Sequence, residues 1–360
     1  MGDLAREAGV SQSTVSRVLN GAPSSIQISQ ATRERVLDAA RRLGYRPNPL
    51  ARGLRGARTM LLGVIVREIT DPFFTGAVEA ISTEAAKHGY NVVLGHAHGR
   101  ADEAIVLRSV LETRHVDAIL LLGDMRDQPR LIEDLQGSRE PVVALWQGRA
   151  LHGLPMVNVD NAAGISQALD HLLALGHRRI AFVSGRPLGD IQERLAAYEA
   201  RMRAEGLAVP DGYVQHVANE PAGGAEALDA LLRLPVPPTA VVCSTDQLAI
   251  GVLHQADARG IRVPERLSVT GFDDLPVSAY TVPALTTVRM PLAEMAARAG
   301  EIAIERAVGG RSPAGAPAEI LQPVLVVRDS TAPPEGVPGR RPGRRARGAG
   351  ATITSRGMER

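Results

Sequence analysis

Short amphipathic helices are predicted at the start of the chain. Residues 3–8 place their apolar side chains on one helical face, and Gly9 interrupts this pattern. Ser11 then offers a hydroxyl that can cap a second helix, which we expect to end near Leu19. The pattern therefore predicts helix, tight turn, helix.

A third helix is predicted after Ser29, because apolar residues recur there at three- and four-residue steps. Gly44 is suited to the left-handed cap that ends a helix, so we expect the helix to stop there. The side chains expected to be buried on this helix are Val36, Leu37, Ala40 and Leu43. Three short helices together predict a small amino-terminal domain.

From Met60 onwards, apolar runs alternate with amphipathic helical stretches, which is typical of parallel strands covered on both faces. Strands are predicted at 61–66, 91–95, 118–122, 142–145, 156–159, 180–184, 240–244 and 268–272. Helices are predicted at 77–88, 104–113, 164–175, 194–205, 224–233 and 248–259. We therefore expect an α/β core of two lobes, each a doubly wound parallel sheet. The predicted ligand site is the cleft between the lobes, beyond the carboxyl ends of the strands.

Composition divides the chain into four regions. Residues 1–45 form the helical domain, and residues 46–58 form a linker whose Gly and Pro content makes it too weak to be a helix by itself. Residues 59–331 form the two-lobed core. Residues 332–360 are rich in Pro, Gly and Arg, so we expect a disordered tail.

Charge is strongly segregated, although the formal net charge is only +2. Residues 1–58 hold ten arginines and four acids, and residues 332–360 hold seven arginines and two acids. The region between them has nine more acidic than basic residues. A basic head on an acidic body indicates that the head meets a polyanion.

Several classes of protein are disfavoured by the sequence. No apolar run is long enough to span a bilayer, and the first twenty residues lack the apolar stretch of a secretory signal. The single Cys243 rules out an internal disulfide framework. We therefore expect a cytoplasmic protein with no contact with a membrane.

Catalytic and metal-binding patterns are sparse. The sequence has no nucleophile elbow, no P-loop and no dinucleotide-binding glycine motif after a strand. His96 and His98 could lie on one side of a strand, but no cysteine or pair of acids accompanies them, which disfavours a metal site. We expect no enzyme activity, no cofactor and no metal.

Motifs along most of the chain resemble the LacI/GalR family of bacterial transcription regulators. Residues 4–21 read LAREAGVSQSTVSRVLNG, which matches the start of that family closely. Further matches are TRERV at 32–36, LGYRPN at 43–48, DPFF at 71–74, GHRRIA at 176–181, GFDD at 271–274 and LTTV at 285–288. The resemblance extends to about residue 330. It implies a helix-turn-helix domain that reads operator DNA and a core, similar to periplasmic binding proteins, that binds a small effector.

The second helix carries the residue types that read DNA. Gln12, Ser13 and Arg17 are candidates for base edges, because Gln and Arg side chains can pair with adenine and guanine. Candidates for contact with phosphates are Ser11, Thr14, Ser16 and Asn20. In the linker, the resemblance implies that Ala51 and Leu54 also meet DNA and that Leu54 enters the minor groove, although Leu54 could also be a plain linker residue.

For the effector, the resemblance implies that Arg194 and Asp273 act as opposed hydrogen-bonding jaws that hold adjacent hydroxyls of a sugar. Phe73 and Phe74 follow the first strand and could provide an apolar platform, and Trp146 ends another strand. For any one of these three aromatic residues, filling the core explains its position equally well.

Polar residues near other strand ends complete the candidate site. Asp160 begins the second lobe, and Thr245 occupies a position where relatives often have an amide. Asp246 is expected to cap the helix that begins beside it, and His177 is expected to make a structural hydrogen bond.

The leading hypothesis is a homodimeric repressor that binds a near-palindromic operator and is controlled by a small, sugar-like effector. A periplasmic solute-binding protein would share the two-lobed core, but it would need a signal peptide and would lack the basic head. An α/β enzyme is a third class, which the missing nucleophile and phosphate motifs disfavour.

Overall fold

The computed structural model describes residues 2–20, 28–45, 58–97, 116–125, 128–138, 140–146, 148, 154–186, 189–309 and 318–335. The chain forms two compact units. The first unit comprises Met1–Val159 and Pro291–Leu321, and the second comprises Asp160–Met290 and Gln322–Arg360. The chain therefore passes from one unit to the other three times.

The amino-terminal helices are α1 (Gly2–Ala8), α2 (Gln12–Asn20) and α3 (Gln30–Arg42). Gly9, in the turn between the first two, has a φ of +64°, a conformation that favours glycine. Ser29 caps α3 by accepting a hydrogen bond from the backbone N–H of Thr32. The buried side chains of these helices are Leu4, Ala5, Ala8, Val15, Val18, Val36, Ala39 and Ala40.

Two leucines expected in this small core lie outside it. Leu37 is 41% exposed and Leu43 is 50% exposed, whereas Val36 and Ala39 are fully buried. One residue turns a helix by about 100°, so Leu37 points away from the face that carries Val36. Leu43 follows the end of α3, so the helical spacing no longer determines its direction.

The remaining helices lie in the α/β part of the chain. They are α4 (Pro72–Lys87), α5 (Pro129–Gln136), α6 (Asn161–Ala174), α7 (Gly189–Ala204), α8 (Pro221–Leu232), α9 (Asp246–Ala258) and α10 (Leu292–Ala307). Five of them begin two to five residues before the predicted start, because a polar or proline-rich first turn precedes the first periodic apolar residue. The predicted helix at 104–113 lies outside the described residues.

The strands are β1 (Leu61–Val66), β2 (Asn91–His96), β3 (Ala118–Leu122), β4 (Val142–Leu145), β5 (Met156–Val159), β6 (Ile180–Ser184), β7 (Val214–His216), β8 (Ala240–Cys243), β9 (Ser268–Asp273), β10 (Thr286–Arg289), β11 (Glu319–Leu321) and β12 (Val324–Val326). All eight predicted strands are present, with ends that differ by at most one residue. Four strands were not predicted: β7, β10 and β11 include polar residues among their three or four positions, and β12 has only three residues.

Each unit contains one sheet of doubly wound topology. The first sheet has the order β2-β1-β3-β4-β5-β11 and all its strands are parallel. The second has the order β7-β6-β8-β9-β10-β12, and only β12 runs antiparallel to its neighbour. The predicted fold class is confirmed. In both sheets the strand order reverses beside the first strand, and that crevice is where such folds bind ligands.

Glycine allows the close contact between α8 and α9. A Cβ added to Gly251 would lie 1.9 Å from the backbone oxygen of Pro221, and one added to Gly224 would lie 2.1 Å from that of Leu248. Neither position can accept a larger side chain without separating the helices. This contact holds the start of α9, where Thr245 and Asp246 lie.

The last described residues pack against the second sheet. The Ala332 N–H donates to the Ser268 hydroxyl at 3.0 Å, and the Ala332 carbonyl oxygen lies 2.9 Å from Nε2 of His177. The ordered chain thus continues past the boundary at residue 331 that composition suggested. Residues 336–360 of the expected tail lie outside the described part of the chain.

Candidate DNA-binding and effector-binding sites

The start of α2 is organised by the Ser11 hydroxyl. Its Oγ accepts a hydrogen bond from the Thr14 N–H at 3.1 Å and lies 2.9 Å from the Thr14 hydroxyl. It also lies 2.8 Å from the Ser13 hydroxyl. Three hydroxyl groups therefore cluster at the amino-terminal end of α2, where backbone N–H groups are also available to bind a phosphate.

Burial divides α2 into two faces. Val15 and Val18 pack into the core of the helical domain. Gln12 and Ser13 are exposed in the first turn, while Arg17 is half-buried one turn later. The side chains predicted to read bases are thus the ones that the helix presents outward. The candidates Ser11, Thr14 and Ser16 lie beside them, and the side chain of Asn20 lies outside the described residues, as do Ala51 and Leu54.

The aromatic edge, which we define as Phe73, Phe74 and Trp146, lies at the carboxyl ends of strands in the first sheet. The Asp71 carboxylate caps α4 by accepting from the Phe73 N–H at 3.0 Å, so both phenylalanines occupy the first turn of that helix. Trp146 immediately follows β4. The ring centre of Phe73 is 5.2 Å from that of Phe74 and 5.0 Å from that of Trp146, with edge-to-face geometry in both pairs.

Trp146 has two unusual features within this edge. Its backbone has a φ of +55°, which is rare for a large side chain. The indole Nε1–H is buried and has no hydrogen-bond partner among the residues that the structure describes. An unpaired buried donor is costly, so a group that accepts from it would gain affinity.

Gly123, which directly follows the last residue of β3, makes room for this edge. A Cβ at Gly123 would lie 2.9 Å from the Phe74 ring and 3.1 Å from the Cβ of Arg67. Gly123 also has a φ of +87°, so any other residue would be strained there. Sequence reasoning did not identify Gly123 as a support for the aromatic residues.

The polar edge, which we define as Arg194, Thr245 and Asp273, lies at the carboxyl ends of strands in the second sheet. Arg194 projects from α7 and is 1% exposed. Its guanidinium carbon lies 3.7 Å from the ring centre of Phe272, a cation–π contact. Its nitrogen atoms donate to the Asn161 amide oxygen at 2.9 Å, the Ser244 carbonyl oxygen at 2.6 Å, the Asp190 carboxylate at 2.9 Å and the Asp273 carboxylate at 3.4 Å.

Arg194 and Asp273 are neighbours rather than opposed jaws. Both belong to the second unit, and their charged groups form an ion pair at 3.4 Å. The expectation of two opposed groups was therefore wrong, because α7 delivers the guanidinium directly onto the end of β9. The residues that sequence reasoning missed are Asp190 and Ser244. Asp190, four residues before Arg194 on one helix, could have been found from its spacing.

Two polar residues named as effector candidates cap helices. Asp160 Oδ1 accepts from the Ala163 N–H at 2.9 Å, and its other oxygen accepts from Gln322 at 3.2 Å. Thr245 caps α9 through Leu248, and its hydroxyl donates to the Asn219 amide oxygen at 2.7 Å. Thr245 therefore makes the cap that we had assigned to Asp246.

Asp246 has a different role, because its carboxylate points away from the helix end. It accepts hydrogen bonds from the Leu275 N–H at 2.8 Å and from the hydroxyls of Ser278 and Thr287, both at 2.5 Å. Burial raises the pKa of Asp246 to about 6, although these three donors act in the opposite direction.

His177 makes structural hydrogen bonds, as expected. Its ring nitrogens lie 2.9 Å from the Thr239 hydroxyl and 3.0 Å from the Ser268 hydroxyl. Burial lowers the pKa of His177 to about 4. His96 lies near the Ile69 N–H at 3.4 Å, His98 lies outside the described residues, and no metal-ligand cluster occurs in the described ranges.

Two family models match the chain. Residues 1–48 match the model described as "Bacterial regulatory proteins, lacI family", and residues 169–331 match the "Periplasmic binding protein-like domain". Together with the helix-turn-helix domain and the doubly wound sheets, these matches define a transcription regulator, not an enzyme, with a DNA-binding head and a ligand-binding core. The chain belongs to the lacI family of bacterial regulatory proteins.

Curated relatives support this assignment over nearly the whole chain. The chain is 35% identical over 335 residues to the HTH-type transcriptional repressor CytR of Escherichia coli (strain K12), which covers 92% of this chain and 96% of the relative. It is also 35% identical over 299 residues to the catabolite control protein A of Priestia megaterium, covering 82% of this chain and 88% of that protein.

Solved structures show the same fold. A lac repressor dimer bound to operator and the anti-inducer ONPF has a TM-score of 0.80 and 25% identity, with 92% of this chain and 98% of that chain covered. The complex of the transcriptional regulator CelR with cellobiose has a TM-score of 0.68 and 30% identity, with coverage of 91% and 98%. Among the described helices of this chain, none is long and apolar enough to cross a membrane.

Proposed function

We propose that this regulator is a homodimeric repressor in which α2 reads a near-palindromic operator and the core binds a small, sugar-like effector that controls operator binding. The observation that carries the proposal is the outward face of α2, where Gln12 and Ser13 are exposed above the buried Val15 and Val18. Such a helix can enter a major groove without disturbing its own domain. Because operator DNA is the partner, we place the protein in the cytoplasm.

The four regions have separate tasks in this proposal. Residues 1–45 read the operator, and residues 46–58, including Ala51 and Leu54, form a hinge that contacts the minor groove. Residues 59–331 bind the effector and form the dimer. In the tail, the arginine-rich stretch from Arg340 to Arg347 adds only nonspecific attraction to phosphates.

Apolar side chains on the second unit support the homodimer. Tyr280 is 83% exposed and Val282 is 92% exposed, and Val277 in the same loop is half-exposed. Large apolar residues grouped this way mark surfaces that another protein covers. A second copy of the chain is the partner that brings a second α2 to the other half of a near-palindrome.

The chemistry of the two edges supports a polyhydroxy effector. The polar edge offers a guanidinium and carboxylates, which can donate to and accept from adjacent hydroxyls. The aromatic edge offers ring surfaces and the unpaired Nε1–H of Trp146. Among the solved structures similar to this chain, CelR is in complex with cellobiose, and the lac repressor is bound to the anti-inducer ONPF.

The present contacts of Arg194 constrain how an effector would bind. The guanidinium is almost fully enclosed, so an incoming hydroxyl must replace one of its partners. Asp190 is the partner that solvent reaches most easily, since its side chain is 22% exposed and that of Asp273 is 6% exposed. We therefore propose that effector binding displaces Asp190 and keeps the contact with Asp273.

Selection of duplexes from a random pool tests the operator-reading proposal. The wild-type chain should select a near-palindromic sequence, and Arg17→Ala should lose its preference at a defined position in each half-site, at a cost of about 1–3 kcal/mol. Arg41→Ala is the matched control, because it removes an equal charge from the end of α3. It should weaken binding to all sequences alike. If both variants selected the wild-type sequence, α2 would not read the operator through Arg17.

A further inference from the structure

The end of β9 contains two consecutive residues in unfavourable backbone conformations. Asp273 has a φ of +117° and Asp274 a φ of +54°. Neither residue is glycine, so this turn persists only because its surroundings hold it. Asp273 is also the residue whose carboxylate meets Arg194. The contacts that hold the turn therefore determine the direction of the Asp273 carboxylate, which is a candidate effector-binding group.

One side of the turn is held by arginines. The Asp274 carboxylate accepts from Nε of Arg289 at 2.6 Å and from Nη2 of Arg328 at 2.5 Å. Arg328 also donates to the Leu285 carbonyl oxygen at 2.7 Å. These bonds attach Asp274 to β10 and to the segment after β12, and they leave the following residue to be held by another group.

Asp246 is that group. It accepts from the Leu275 N–H, the first amide after the strained pair, and from Ser278 in the short 3-10 helix Pro276–Ala279. It also accepts from Thr287 in β10. One buried carboxylate thus joins three consecutive pieces of chain around the turn.

The placement of this carboxylate is tight. A Cβ at Gly271 would lie 2.2 Å from Oδ1 of Asp246, so the carboxylate lies directly against the backbone of β9. Asp246 is fully buried, and no Lys, Arg or His in the described part of the chain forms an ion pair with it. Burying a charge that only an amide and two hydroxyls stabilise is costly, which indicates that the arrangement serves a purpose beyond packing.

We infer that Asp246 is a positioning residue for effector binding: it holds the strained turn Asp273–Asp274 in the conformation that aims Asp273 at Arg194. The role in effector binding rests on the proposed function, whereas the role of Asp246 in holding the turn does not. Asp246 touches no effector itself. Loss of its hydrogen bonds lets the turn relax, and Asp273 then no longer presents its carboxylate at the polar edge.

The chain offers a matched pair of variants for the test. Thr287 and Thr270 are both fully buried on adjacent strands of the same sheet, β10 and β9. The Thr287 hydroxyl donates to Asp246, whereas the Thr270 hydroxyl has no hydrogen-bond partner within the described ranges. Thr287→Val and Thr270→Val therefore make the same change in shape and differ in whether Asp246 loses a hydrogen bond.

The first arm needs no effector. Amide hydrogen exchange at Leu275 is measured in the full chain at constant pH. Asp246→Asn and Thr287→Val should each speed exchange at Leu275 by about tenfold or more, whereas Thr270→Val should leave it at the wild-type rate. Ser278→Ala serves if Asp246→Asn does not fold. Wild-type exchange in Thr287→Val and Ser278→Ala would overturn the inference.

The second arm measures affinity by calorimetry with cellobiose, D-galactose, D-ribose, adenosine and cytidine. For a compound that binds the wild type, Thr287→Val should weaken binding roughly tenfold, Thr287→Ser should restore it and Thr270→Val should not change it. Equal affinities, or an equal loss in Thr270→Val, would overturn the inference. If no compound binds the wild type, the proposed effector class fails for this panel, and exchange at Leu275 alone judges the role of Asp246.

Discussion

The aromatic edge and the polar edge lie at the ends of sheets with corresponding strand orders. One edge is built from apolar rings, and the other is built from charged and polar side chains. The aromatic edge consists of three rings in edge-to-face contact and contains a buried donor, Nε1 of Trp146, which no described residue accepts from. The polar edge contains Arg194, which donates to oxygen atoms of four residues and to the Met290 sulfur, besides its contact with Phe272. The same topology thus carries an apolar cluster with an unpaired indole N–H in one unit and a fully hydrogen-bonded guanidinium in the other.

This difference predicts different responses to mutation. Removing a member of a saturated buried network leaves its partners unpaired, so folding should suffer together with binding. Removing an unpaired donor leaves nothing behind, so binding should change while folding does not. Stability and effector affinity should therefore be coupled at the polar edge and separable at the aromatic edge.

The largest effect is expected for Arg194→Ala. It leaves Asp273 buried without its cation, and the unfolding free energy should fall by about 3–5 kcal/mol. Chemical denaturation of the full chain measures this. Arg201→Ala, seven residues later on α7, is the control, because its pairs with Asp170 and Glu205 are exposed and should add little. Equal effects of the two variants would show that the network is not a source of stability.

Two buried groups of the second unit should give opposite pH dependence. His177 stays neutral in the folded chain until its pKa of about 4, whereas the unfolded chain binds the proton below 6.5, so its stability contribution is lost as pH falls from 6.5 to 4. Asp246 takes up its proton near 6 when folded and near 3.8 when unfolded, so its contribution is lost as pH rises from 3.8 to 6. Both windows span about two pKa units, and each unit corresponds to about 1.4 kcal/mol.

Difference profiles separate the two groups. Unfolding free energies are measured between pH 4 and 6.5 for wild type, His177→Gln and Asp246→Asn. As pH rises, the unfolding free energy of His177→Gln should fall relative to that of wild type, because only the contribution of Asp246 remains. That of Asp246→Asn should rise relative to wild type, because only the contribution of His177 remains. Variant profiles parallel to wild type would contradict the pKa shifts of His177 and Asp246.

At the aromatic edge, Trp146→Phe should change the unfolding free energy by less than about 1 kcal/mol, because the removed donor offsets the smaller ring. Effector affinity should still fall by about 0.5–1.5 kcal/mol, since the effector loses a donor. Denaturation and calorimetry on one preparation measure both quantities. A large loss of stability with unchanged affinity would make Trp146 a core residue only.

The smallest effect is expected for a surface pair of the first unit. Arg298 on α10 makes two hydrogen bonds to the Glu319 carboxylate, at 2.6 and 2.7 Å, and both side chains are about 40% exposed. Glu319→Gln should therefore cost at most about 1 kcal/mol, and less at high salt. A salt-independent cost as large as that of Arg194→Ala would remove the distinction between buried and exposed pairs.

The buried strands could be predicted from the sequence because burial on both faces gives an apolar run. β1, β3, β4, β5 and β6 lie where their apolar runs predicted them. β7, β10 and β11 could not be predicted because polar residues occupy part of their three or four positions, and β12 has only three residues. Helix starts were placed too late for a related reason, because capping residues such as Asp71 precede the periodic apolar face.

The candidate site was predictable by residue type more than by geometry. Arg194 and Asp273 were identified, but a linear sequence does not show that α7 brings the guanidinium onto β9. Thr245 makes the cap that was expected of Asp246, because both residue types can cap a helix and only the tertiary fold directs the Asp246 carboxylate to Leu275. Local chemistry was sufficient at Ser11 and Ser29, whose partners lie three residues away.

The central claim, that this operator-binding regulator senses its effector at the aromatic edge, can be tested with a natural probe. Trp146 is the only tryptophan in the chain, so emission excited at 295 nm reports on that edge alone. A compound that changes binding to the selected operator duplex is titrated while emission and DNA binding are followed together. The account predicts that Trp146 emission changes and saturates over the concentration range in which operator binding changes. A compound that alters operator binding fully and leaves Trp146 emission constant would contradict it.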